Sequence, residues 1–135
     1  MALQQQKIIF FSAIFVVFIA VVVTAGRAHF TPHGNLSISP NKLWNDIENG
    51  KVQNQSSYTV EGEISSISHI SGWYVIYFKG CSAPFVWAIT EDTPENYLGM
   101  KVSASVVVVF LGTAGDLYEI GKDGWIGIIT AISPA

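Results

Sequence analysis

A single cysteine, Cys81, excludes an intramolecular disulfide, so nothing covalent beyond the main chain ties this protein together. Charge is scarce too, since only 13% of the 135 residues are Asp, Glu, Lys or Arg. Arginine occurs once, at Arg27, and the stretch after it carries five lysines against all ten acidic residues, a net charge of −5. Attraction to nucleic acid or to an anionic cytoplasmic leaflet needs clustered Lys and Arg, so neither is an expected partner. The chain also lacks a phosphate-cradling glycine loop, a serine elbow and a cysteine pair, and it offers no nucleophile, base and orienter set. These absences point away from an enzyme. A length of 135 residues leaves room for one domain and an anchor.

The longest uncharged run, Ile8 to Gly26, is bracketed by Lys7 and Arg27. At about 1.5 Å of rise per residue it spans the roughly 30 Å hydrocarbon core of a bilayer, and it reads as one transmembrane helix over 8–27 after a cytoplasmic tail of 1–7. The competing reading is a cleaved secretory signal ending at Val23-Thr24-Ala25 or Gly26-Arg27-Ala28. The acidic remainder belongs on the extracytoplasmic side of a cell membrane, where the sequons at Asn35 and Asn54 are candidate glycosylation sites. Pro32, Gly34 and Pro40 argue against a pilin-like continuous helix and mark a linker over 28–57. Within it, Ser39 or Asn41 can cap a short helix from Lys42 to Asn49, with Leu43, Trp44 and Ile47 on one face and Gly50 as the stop.

From Tyr58 onward the apolar period becomes two. Runs at Tyr58–Ser71, Trp73–Lys79, Phe85–Thr90, Val102–Leu111 and Trp125–Ile132 predict five strands over 58–135, with room for a hairpin near Leu117 to Ile120. Ile67 breaks the parity of Tyr58, Val60 and Ile64, which predicts a bulge at Ser65-Ser66. Thr93, Pro94 and Gly99 frame one or two helical turns between the third and fourth strands. A long bent strand, two more strands, a short helix and two final strands is the element order of an oligonucleotide/oligosaccharide-binding (OB) barrel, an all-β, five-stranded antiparallel fold; a small antiparallel sandwich is the alternative.

With its anchor, its proline-led turn and its barrel, the chain resembles the membrane-anchored haem chaperones of cytochrome c maturation. The segments that carry the resemblance are Ser39-Pro40-Asn41-Lys42-Leu43, Gly50-Lys51, Tyr58 to Ile64 and Pro94 to Gly99. That family attaches haem through a histidine or cysteine after the last strand, followed by a tyrosine. This chain ends Ile132-Ser133-Pro134-Ala135, with no His, Cys or Tyr beyond Tyr118, so covalent haem attachment has no residue to carry it.

The remaining candidates are binding residues. Trp73, Tyr74, Tyr77, Phe78, Phe85 and Trp87 fall on the second and third strands, where OB barrels bind, and those not in the core are expected to form an exposed aromatic face. His29 and His33, spaced i, i+4, and His69 are metal or haem candidates. Cys81 sits near Lys79, whose ammonium could lower a thiol pKa and make it reactive. Glu61 and Glu63 share a strand face as solvated carboxylates. The expectation is a non-enzymatic membrane protein that holds a protein partner at the membrane surface, as an accessory or assembly subunit of a respiratory or cytochrome biogenesis complex, without a cofactor. Noncovalent haem or metal handling is the alternative, and ligand or single-stranded nucleic-acid binding on the aromatic face is the third reading.

Overall fold

The computed structural model describes residues 36–70, 72–112 and 120–135. The apolar run at 8–27, His29, His33, Asn35 and the hairpin near 117–120, except for Ile120, lie outside those residues. No helix among the described residues is long and apolar enough to cross a membrane.

Ser39 opens the first element. Its Oγ accepts a hydrogen bond from the Lys42 N–H at 3.1 Å, and Pro40, which has no N–H to satisfy, takes the first helical position of α1, Pro40–Glu48. Leu43, Trp44 and Ile47 lie one turn apart and are buried in the same core cluster as the strands. The Leu43, Trp44 and Ile47 face, which the sequence reading expects to pack on the domain although it counts the helix with the linker, is part of the domain's core. It can sit so close because Gly62 leaves room, where an added Cβ would lie 3.1 Å from Pro40 Cγ and 2.9 Å from Phe78 Cδ1.

The five strands are β1 Ser57–Ile70, β2 Trp73–Phe78, β3 Phe85–Trp87, β4 Lys101–Phe110 and β5 Trp125–Pro134. Hydrogen-bonded neighbours run β1-β2-β3-β5-β4, and β4 pairs back to β1, which closes the barrel. All pairings are antiparallel except β3 with β5. The first strand serves two neighbours in turn: Ser57 to Glu63 pair with β4, and Ile64 onward pairs with β2 across a register shift between Ile64 and Ser66. The predicted bulge stands there, and it bends β1 from one side of the barrel to the other.

Inside the barrel, Phe85 makes edge contacts with Phe78 at 5.2 Å and with Trp44 at 5.7 Å between ring centroids. Val60, Ile64, Ile76, Val106, Val108 and Ile129 complete this core. On the opposite parity, Val75, Val86, Val107 and Ile128 form one cross-strand row and are buried as well. Of the six aromatics, Phe78, Phe85 and Trp87 belong to this core, while Trp73 and Tyr77 share the parity of Val75 on the other side of β2 and are half-buried.

Candidate functional site

Beyond Ile64 one edge of β1 has no partner strand among the described residues. The Ile64 N–H donates to the Met100 carbonyl at 3.1 Å, and the Gly99 N–H donates to the Ile64 carbonyl at 2.8 Å. β4 begins at Lys101, opposite Glu63, so no described strand pairs with Ser66 to Ile70 on that side. A groove of about 420 Å³ runs along this edge, lined by Ser65 to His69, Tyr74, Glu95 and Leu98. Its floor owes its shape to the bulge, and its far wall comes from the 3₁₀ turn Pro94–Tyr97 and the loop after it.

Asp92 holds that wall in place. Its carboxylate accepts hydrogen bonds from the Tyr97 hydroxyl at 2.6 Å, the Asn96 side-chain amide at 2.7 Å and the Thr93 N–H at 2.8 Å. Trp87 anchors the same loop from inside the barrel, donating its Nε1–H to the carbonyls of Ile89 at 2.9 Å and Asp92 at 3.2 Å. The Tyr97 hydrogen bond, with smaller help from Asn96 and Thr93, holds the Asp92 carboxyl below its ordinary 3.8, and the same bond holds the Tyr97 phenol above its ordinary 10.0. Both shifts favour the carboxylate–phenol pair. Its contribution is full above the ordinary carboxylate value, is lost as pH falls through the lowered Asp92 value, and is lost again as pH rises through the raised Tyr97 value. Asp92→Asn is therefore expected to shallow the acid limb of a stability-against-pH curve while leaving the strands folded. An acid limb identical to that of the parent protein in chemical denaturation from acid to neutral pH would refute this.

The sequence candidates distribute as follows. His69 is exposed on the groove, and its ring lies 4.0 Å from that of Tyr74, centroid to centroid, at 41°. Trp73, Tyr74 and Tyr77 are half-buried, whereas Phe78, Phe85 and Trp87 are core residues, so of the six aromatics only Tyr74 lines the groove. Glu95 and Leu98 went unsingled in the sequence because nothing local announces that a 3₁₀ turn will face a strand edge. Leu98 is 52% exposed. Its exposure beside a bulge is a signal visible only after folding.

Cys81 is buried and does not face Lys79. Lys79 reaches Glu63 instead, at 3.9 Å, and Cys81 is 8% exposed with its Sγ 3.6 Å from the Ala83 carbonyl. Burial pushes the thiol up, against smaller lowering influences from the Ala83 backbone and the Lys122 ammonium. Asn54 is part of the fold: its Oδ1 accepts the Phe110 N–H at 2.9 Å, while Ser56, two residues on, is buried and donates to the Gln53 carbonyl at 2.6 Å. Glu61 accepts from the Ser37 hydroxyl at 3.1 Å. Among the described residues no three His, Cys, Asp or Glu side chains gather as a metal cluster would require.

Neither a family model nor a curated protein sequence matches this chain.

Proposed function

We propose that the domain is an OB-type binding module, displayed on the extracytoplasmic side of a membrane by the apolar run at 8–27, and that it acts by holding an extended segment of a partner protein in the β1 groove. Three features of the fold support the OB reading: the order β1-β2-β3-β5-β4 with β3 parallel to β5, the bulged first strand, and the helical turn between β3 and β4. The observation that carries the binding reading is the groove itself, which lies along a strand edge without a described partner strand and is flanked by exposed Leu98. Main-chain groups on such an edge add a peptide strand, while the walls select its side chains. An accessory or assembly subunit of a membrane complex would use a surface of this kind.

The test is to extract the full-length protein from its native membranes in mild detergent and to identify what co-elutes in fixed ratio. A stoichiometric protein partner is expected, and Leu98→Asp together with His69→Ala should weaken its retention by about tenfold or more, the size of a contact at the centre of an interface. Elution of the protein alone, or retention of the partner by the double variant, would overturn the reading. The His69–Tyr74 ring contact supports a second one, noncovalent haem handling. A Soret absorbance in the eluate that disappears in His69→Ala would put it first.

A further inference from the structure

The register of β1 decides which main-chain groups the groove offers. Ile70 pairs with Trp73 across a connection of two residues, and a hairpin that short closes on a hydrogen-bonded pair. Bonded and non-bonded pairs then alternate back along β1, so Ser68 bonds across to Val75, while Ile67 and His69 turn their N–H and C=O groups away from β2. The bulge keeps that count. Ser65 and Ser66 both lie against Tyr77, and Ile64 before them turns its own N–H and C=O to Met100 and Gly99. Ile67 and His69 thus continue the same edge past the point where Gly99 and Met100 occupy it, and no strand among the described residues takes up their groups. Open edges are commonly guarded by lysine or proline, and Ser66-Ile67-Ser68-His69-Ile70 contains neither.

The wall across from this edge carries charge of one sign. From Gly80 to Met100 the chain has no Lys or Arg, and it places Glu91, Asp92 and Glu95 there. Asp92 is occupied by Tyr97, Asn96 and Thr93, which leaves Glu95 as the carboxylate that lines the groove. Glu95 is exposed, and the ion pairs of the described residues, Lys42–Asp46, Lys79–Glu63 and Lys122–Glu48, leave it out. No lysine lines the groove: Lys79 reaches Glu63, and Lys101 stands opposite Glu63 in the register. A second copy laid edge to edge would set the net charge of −5 that follows Arg27 against its equal, and an acidic segment would meet the same repulsion. A cationic side chain instead gains an ion pair with Glu95, while Leu98 and Tyr74 offer apolar contact beside it.

We propose that the β1 groove selects an extended segment bearing Lys or Arg. Its main chain bonds to Ile67 and His69 as a strand added to β1, its cationic side chain pairs with Glu95, and its neighbouring apolar side chains rest on Leu98 and Tyr74. This selectivity rests on the groove being the site of partner binding, and adds to it the chemistry of the segment bound. The edge from Ser66 to Ile70, at about 3.3 Å per residue, holds a segment of matching length.

The test titrates the isotopically labelled full-length protein, in an uncharged detergent, with a short peptide of alternating threonine and valine in which lysine replaces the central valine, and with counterparts that have glutamine or glutamate there. The lysine peptide is expected to bind most tightly and to slow hydrogen exchange at the Ile67 and His69 N–H groups. Glu95→Lys should weaken it about tenfold and turn the preference toward the glutamate peptide, because like charges then face each other. Glu61→Lys, the same change of charge outside the groove, should leave the order of the peptides as it was. Equal affinity for the three peptides, or the same loss in Glu61→Lys as in Glu95→Lys, overturns the cation preference and leaves strand addition to the groove standing. Absence of exchange protection at Ile67 and His69 with every peptide overturns the proposal, as does protection of both amides without peptide in a concentration-dependent dimer. Co-elution of a Leu98-dependent partner from native membranes tests the groove separately.

Discussion

Phe85→Ala is expected to cost about 3–5 kcal/mol of folding stability, the range for emptying an aromatic from a packed core. Phe85 is fully buried, at the point where β3, β2 and α1 converge, and it touches both Phe78 and Trp44 edge-on. Its other wall is Gly127 on β5, where an added Cβ would stand 2.8 Å from the Phe85 ring. Glycine there leaves room for the ring and nothing else, so the neighbours have little means of closing over the space that alanine leaves. Each kcal/mol lost moves the thermal midpoint by roughly 4–8 °C in a domain of this size, which makes the effect readable by calorimetry or denaturant titration. A loss under about 1 kcal/mol would show that Phe78 and Trp44 collapse into the gap and that the aromatic core is plastic.

Leu43→Ala is expected to cost about 2–5 kcal/mol and to lower the same single unfolding transition as Phe85→Ala. Leu43 is 0% exposed and belongs to the barrel's core cluster through α1. A helix on a linker would give a different result, since substitutions on exposed surfaces stay within about 0.5 kcal/mol. A loss that small, or a separate low-temperature transition for α1, would mean that the strands hold together without the helix. The Lys122–Glu48 pair adds a second tie between α1 and the turn before β5, but at this exposure an ion pair contributes little next to the buried leucine.

Much of the fold was legible because the local signals are strong. The ends predicted for the strands fall within three residues of those observed, since glycine and proline punctuate β-branched and aromatic runs, as Ser71-Gly72 and Pro84 do around β2 and β3. The parity break at Ile67 located the bulge. Ser39, one of the two caps considered for α1, accepts the capping bond. The strand count and the helical turn between β3 and β4 followed from the same spacing.

Orientation was not legible. On β2 both parities are apolar, Trp73, Val75 and Tyr77 against Tyr74, Ile76 and Phe78, so alternation alone gives no sign of which side faces the barrel interior. The packed rings of Phe78, Phe85 and Trp44 decide it, and leave Trp73 and Tyr77 on the other side. Cys81 shows the same limit: it is near Lys79 in sequence, yet at the turn after β2 Lys79 reaches Glu63 and the sulfur is buried. The groove depends on where β4 begins relative to β1, and the Lys122–Glu48 pair joins residues 74 apart.

The sequence by itself determined which residues form the described helix and strands and where the first strand bends, because propensity, periodicity and capping act over a few neighbouring residues. Only the tertiary structure decided which ring α1 packs against in the barrel, that Leu98 and His69 line one groove beside a strand edge, and that Lys122 pairs with Glu48, 74 residues earlier. Those outcomes come from closing one sheet on itself, which joins residues far apart in sequence, and local pattern carries no record of which distant partner fills each space.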